Sequence, residues 1–298
     1  MSTTVITVGA SDVPAILGLS PWQTPSSVWA RLKGLSPPSE GNNATRRGHT
    51  LELGILMEYA DRYDAKVYRW QTSHRHLHRT KPPFRVGLYR GPGLEEGRMV
   101  HFAHDWAGCR PDGIFLDEHG SKRLVEVKTT RSWRDWEDKD GNAILPPWYV
   151  VQVQWQMFVT QTSLTDLEAF NVQDDSRRTY RVNRDHALIE RILALVADWY
   201  RRHIIGEELP TDMTADIAGL VWPAPREPET WLEPSAEDLV LAGEYVKAHD
   251  AIKALEAQKE RVKDRLCERI KDATGITGVA SWKLGKRGRL FRCLAGGE

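Results

Sequence analysis

The spacing of apolar positions changes several times along the chain, and each change marks a predicted element. A short helix that Ser11 can cap ends at Gly18, and a second opens at Pro25, carries Val28, Trp29 and Leu32, and stops at Gly34. Leu51, Ile55 and Tyr59 form one stripe of a helix over residues 45–63, with Glu52 close beside it. Strand-like stretches then follow. Residues 66–70, 74–79 and 99–104 read as short strands, and residues 114–116 and 124–128 as a hairpin around the polar turn 117–120. A helix over 147–160, strands near 167–172 and 178–182, and an amphipathic helix over 185–205 complete an α/β unit.

The character changes after residue 209. Prolines cluster at 210, 223, 225, 228 and 234, which marks residues 210–234 as a linker between a domain over 1–209 and an extension over 235–298. In the extension, Ser235 and Asp238 start a helix running to about residue 273 in the manner of a capping box. Tyr245, Ala248, Ile252, Leu255, Val262 and Leu266 recur at alternating three and four spacing, interrupted by Lys259. That pattern suits a short coiled-coil seam, or equally an amphipathic helix packed on the first domain. Residues 279–294 read as a basic hairpin around Gly285, Lys286, Arg287 and Gly288.

Composition narrows the chemistry. The 298 residues, 41% of them hydrophobic, can bury a full core. No apolar run approaches the roughly 18 to 20 residues of a membrane span, and residues 1–10 lack the basic start and apolar stretch of a signal peptide, so a cytosolic protein is expected. Cys109, Cys267 and Cys293 form no CxxC pair, so any metal would be held by oxygen or imidazole. Forty-one basic residues balance forty-one acidic ones, which leaves any nucleic-acid partner to be attracted by local charge.

The informative constellation is Pro111-Asp112-Gly113 followed by Glu126-Val127-Lys128. On a strand Glu126 and Lys128 project from one face while Val125 and Val127 enter the core, and a turn before the partner strand can swing Asp112 beside Glu126. An isolated Glu-x-Lys is commonplace on a solvated strand; this order and spacing is less so. Two carboxylates held together repel unless a hard divalent cation relieves them, which makes magnesium the expected occupant. Lys128 could then hold an attacking water or a phosphate oxygen. Glu52 could add a third carboxylate. Tyr149, Gln152 and Gln156 share a face of the helix over 147–160, and that face is expected to look into the site.

With these residues in view, the sequence resembles the YqaJ viral recombinase group, which includes the lambda-type exonucleases, within the PD-(D/E)XK nuclease superfamily. The matching stretches are Gly9-Ala10-Ser11-Asp12 with Ile16 to Trp22, Arg47 to Glu52, Arg110 to Gly113, Leu124 to Thr129, and Tyr149 to Gln154. The resemblance implies a restriction-endonuclease-like core, a central mixed sheet flanked by helices, with the long helix and hairpin appended. It implies that Asp112, Glu126 and the Val127 carbonyl ligate metal, aided by Glu52. Two magnesium ions are expected, with manganese able to substitute. Lys128 and Gln152 would position the nucleophile with Tyr149 in support, and Ser11 would hold a terminal phosphate. It further implies digestion of linear double-stranded DNA during phage recombination in a bacterial host cell, a homo-oligomer, and a single-strand annealing protein as partner. The sequence departs from the lambda-like enzymes in having no arginine shortly before Ser11 and in the extension from Ser235.

Three functions fit this reading: an end-dependent exonuclease, a structure-specific endonuclease on the same site, and a catalytically silent DNA-binding or assembly protein. Trp22, Arg47, Lys286 and Arg287 are candidate DNA contacts, through base stacking or phosphate charge. His74, His76 and His78 alternate on one strand and are more simply a solvated face than a metal site.

Overall fold

The computed structural model describes residues 5–36, 41–64, 66–69, 86–88, 94–95, 98–116, 122–224, 230–285 and 288–294. These divide into two units, Met1–Ala224 and Pro225–Glu298. The first begins with three helices, α1 (Val13–Ile16), α2 (Pro25–Leu32) and α3 (Asn43–Arg62). Strands β1 (Lys66–Arg69), β2 (Val86–Leu88), β3 (Leu94–Glu95), β4 (Arg98–His101), β5 (His104–Cys109), β6 (Gly113–Leu116) and β7 (Lys122–Thr130) follow. After them come α4 (Pro147–Thr160), β8 (Leu164–Asn171), β9 (Arg177–Asn183), α5 (His186–Trp199) and α6 (Ala215–Val221).

The central sheet has the order β2-β1-β6-β7-β8-β9. It is mixed: β1 with β2 and β7 with β8 pair in parallel, and the other neighbours are antiparallel. Alternation along β7 sorts its side chains between two layers. Val125 and Val127 pack with Phe115 against Ile55, Leu56 and Tyr59 of α3. Leu124 turns the other way, onto Ile114 and Met157 of α4. Helices thus cover both faces of the strand that carries Glu126 and Lys128, as the α/β reading requires. The largest core cluster joins Val8, Val28, Trp29, Trp155 and Val196, tying α2 to α4 and α5.

Local chemistry explains most boundaries. Thr24 and Ser27 form a reciprocal capping box at α2, and Asn42 caps α3 through Thr45 N. Gly18 and Gly34 follow α1 and α2 with φ of 70° and 73°, a conformation glycine adopts at no steric cost.

Several elements differ from the sequence reading. Ser11 does not cap α1; the N-cap is Asp12, whose carboxylate instead accepts from Gly9 N at 2.9 Å. The single strand expected over 99–104 is broken by a turn into β4 and β5, which pair with each other. The helix expected to reach residue 205 is α-helical only to Trp199, and Tyr200–Ile205 form a π-helical turn. Part of the stretch read as linker is α6, capped by Thr214 and packed on the main core through Ile217, Leu220 and Val221. The strand expected over 74–79, with its three histidines, lies outside the described residues.

The second unit holds a 35-residue helix, α7 (Ala236–Ile270), and an antiparallel sheet of β10 (Gly275–Ile276), β11 (Ala280–Gly285) and β12 (Gly288–Cys293). Ser235 and Asp238 form the capping box of α7. Lys286 and Arg287, read from the sequence as DNA contacts, lie outside the described residues. No described helix is long and apolar enough to cross a membrane.

Candidate active site

The site begins where β6 stops pairing with β7. Their ladder runs from Leu116↔Lys122 to Gly113↔Val125, and β7 continues alone on that side to Thr130. The N–H of Val127 therefore has no β6 partner; it donates to Asp112 Oδ2 at 2.8 Å. A strand residue directs its N–H and C=O to the same side, so the Val127 carbonyl also faces the Asp112 side. The end of one strand thus places a carboxylate and a backbone oxygen together.

Glu126 projects from the opposite face of β7 to Val127, 2% exposed, and its carboxylate is held by three donors. Lys128 Nζ and Gln152 Nε2 reach Oε1 at 2.5 and 2.6 Å, and Gln156 Nε2 reaches Oε2 at 2.7 Å. The two glutamines lie four residues apart on one face of α4, a helix whose second half is largely buried. Lys128 also lies 5.2 Å from the ring centre of Tyr149, one turn earlier on α4, a cation–π contact.

The charges are unbalanced. Burial first, then the charge of Glu126, holds the Asp112 carboxyl well above the usual carboxylate range; Lys128 and the Val127 N–H oppose this, and Glu52 adds to it. Burial alone would lower the Lys128 amine, but Glu126 and Asp112 outweigh it and push its pKa up. Lys128 is therefore a fixed cation, suited to donating hydrogen bonds and unsuited to accepting a proton.

These residues border a cleft of about 950 Å³. Asp112, Glu126, Gln152 and Gln156 line it from the sheet and α4, His49 and Glu52 from α3, and Ser11, Asp12 and Arg31 from α1 and α2. Lys128 and Tyr149 open into an adjoining hollow of about 260 Å³ that shares Ser11, Gln23 and Gln152 with the larger one. Trp22, 67% exposed, stands on the rim of that hollow with its ring edge-to-face on Trp148 at 5.8 Å. Arg47 belongs to α3 but does not line either cavity; its Nε is buried without a hydrogen-bond partner among the described residues.

Two residues gain a place that the sequence did not give them. Arg31 of α2 reaches Asp12 at 2.5 Å and lines the cleft next to Ser11, so a guanidinium stands near Ser11 although none precedes it in sequence. Gln156 was visible only as part of a polar helix face, whereas in three dimensions it grips Glu126 and its own Oε1 is buried without a donor among the described residues.

The oxygen donors suit a hard divalent cation. Buried Glu126 and half-buried Asp112 face a single lysine, Asp112 drawn towards its protonated form, and Gln156 Oε1, without a donor among the described residues, lies beside them. Glu52 borders the same cleft and its charge reaches Asp112, yet among the described residues no three His, Cys, Asp or Glu side chains are gathered into one cluster.

A mixed sheet with this cleft at the end of a hairpin defines an α/β protein with an acid-and-lysine site, and comparison with known proteins supplies its family. The chain belongs to the YqaJ-like viral recombinase domain family, whose model matches residues 4–163. It is 25% identical over 288 residues to the uncharacterized protein YqaJ of Bacillus subtilis (strain 168), covering 93% of this chain and 80% of that one. Among solved structures it resembles the alkaline exonuclease LHK-Exo of Laribacter hongkongensis, with 23% identity, a TM-score of 0.48, and coverage of 68% of this chain and 90% of that one. A phage related exonuclease from Haemophilus somnus 129PT matches with 12% identity and a TM-score of 0.42, over 68% of this chain and 96% of that one.

Proposed function

We propose that the protein is a magnesium-dependent deoxyribonuclease that hydrolyses phosphodiester bonds from the ends of linear double-stranded DNA, in the service of phage recombination. The observation that carries this reading is the grouping of Asp112 and Glu126 on an open cleft with Lys128, which bonds Glu126 and opens into the adjoining hollow, while the Val127 N–H fixes Asp112 there. Membership of a viral recombinase family supports the biological setting.

Asp112, Glu126 and the Val127 carbonyl would hold magnesium, or manganese in its place, with Glu52 reaching a second ion through water. The ion supplies charge for a phosphate in transition and acidity for a bound water. The chain's own residues do the rest. Lys128, kept cationic by its neighbours, donates to the water or to a non-bridging phosphate oxygen. Gln152 and Gln156 hold the Glu126 carboxylate in one orientation, and Tyr149 limits where the Lys128 ammonium can swing. Ser11 and Arg31 suit a terminal phosphate, Trp22 a frayed base, and Arg47 a backbone phosphate further along the strand. An annealing protein that takes up the exposed single strand would complete the reaction's use.

Dependence on an end separates this reading from endonuclease action. With magnesium, linear duplex should be degraded while a covalently closed circle of the same sequence stays intact, and one double-strand cut should make the circle a substrate. Degradation of the intact circle at a comparable rate would establish an endonuclease instead.

A further inference from the structure

Helix α7 carries an apolar stripe that no described residue of its own unit covers. Of its 35 residues only Ile270 is buried, and Tyr245, Ile252 and Leu255 are 74%, 58% and 64% exposed. At 1.5 Å per residue it is roughly 52 Å long. Helices in proteins draw most of their stability from packing an amphipathic face, so a helix of this length without one calls for a partner.

Its charges are sorted by end. Before Ala251, Glu237, Asp238, Glu244 and Asp250 face a single Lys247, whereas from Ala251 onward six basic residues outnumber four acids. A partner with the opposite polarity is therefore another α7 laid antiparallel.

We propose that α7 pairs with α7 of a second copy in an antiparallel coiled coil whose two-fold axis passes between Lys253 and Ala254. The heptad register places Asp238, Tyr245, Ile252, Lys259 and Leu266 at one core position and Leu241, Ala248, Leu255, Val262 and Arg269 at the other. About that axis Ile252 meets Leu255 of the second copy, Tyr245 meets Val262, and Leu241 meets Leu266. Lys259, the residue that breaks the apolar repeat, falls opposite Ala248, the smallest residue of the seam, where its stem has room and its amine can reach outward. Asp238 falls opposite Arg269.

The flanks agree: Glu244 lies beside Arg265 of the second copy, and His249 beside Glu256. In a parallel pair Lys259 would face Lys259, Arg269 would face Arg269 and Asp238 would face Asp238, three like-charge layers. The seam thus selects both a second copy and its direction.

The test uses the full chain with Cys267→Ser and Cys293→Ser, since Cys109 is buried. Leu241→Cys and Leu266→Cys chains are mixed in equal amounts and oxidised. The proposal expects the mixed disulfide to exceed either self-linked product several-fold, and Ile252→Asp with Leu255→Asp to abolish it and halve the mass seen by sedimentation. Those two positions are exposed in the single chain, so the variant keeps its nuclease unit. Self-linked Leu241→Cys chains as the main product would show parallel pairing and overturn the proposal. Absence of any linked product, or an unchanged mass in the aspartate variant, would overturn it as well.

Discussion

Asp112→Asn should lower magnesium-dependent cleavage by at least about a thousandfold, the scale of losing a principal charge-stabilising group, and yet make the metal-free protein harder to unfold at alkaline pH. The two effects share one cause. Asp112 lies half-buried beside Glu126, and its pKa is raised above the unfolded value by loss of solvation first and by that neighbouring charge second. A folded-state pKa raised in this way favours the protonated fold, so its contribution to stability is present at low pH and is lost as pH rises through the folded pKa. Asparagine keeps an oxygen for the Val127 N–H and carries no charge, so it avoids that loss. Urea unfolding without metal should show the variant more stable than the parent at high pH, with the gap closing as pH falls. A variant that is less stable at every pH would show that the carboxylate is not held under electrostatic strain.

Asp166→Ala should cost about 3 kcal/mol of stability, near the lower limit for breaking a buried charge pair. Asp166 is fully buried on β8, next to β7. It accepts from Tyr59 Oη at 2.5 Å and from Arg181 Nε at 3.0 Å, and Arg123 Nε lies 3.2 Å away. Without it the buried Tyr59 hydroxyl loses its acceptor and two guanidiniums lose their counter-charge. Arg181, whose side chain is 53% exposed, can rehydrate, which keeps the cost from rising higher. Because Tyr59 lies on α3, the loss also loosens the helix that brings His49 and Glu52 to the cleft. Denaturant unfolding measures the change; a shift below about 1 kcal/mol, the worth of an ordinary net hydrogen bond, would mean that this cluster does not anchor α3.

What the sequence revealed was local. The hairpin around Asp112 and Glu126, the full extent of α4 and the start of α7 are written in periodicity and capping chemistry that involve residues three or four apart. Tyr149, Gln152 and Gln156 could be assigned to one face of α4 for the same reason. Arg31 could not be connected with Ser11, because the approach of α2 to α1 depends on a core that also includes α4 and α5. Helix α6 was hidden because the prolines around it announce a linker, while its own apolar residues are too few to show a period. The break between β4 and β5 was hidden because the turn is only Phe102 and Ala103, two apolar residues that carry no turn signal.

The most direct test of the central claim is the fate of end-labelled linear duplex DNA incubated with the protein, with magnesium or with a chelator, beside the Lys128→Ala variant. The account predicts loss of label only for the parent protein with magnesium, and none for the variant although it still binds the duplex. Undiminished cleavage by Lys128→Ala, or cleavage by the parent in excess chelator, would contradict the assignment of Asp112, Glu126 and Lys128 as a metal-dependent phosphodiesterase site.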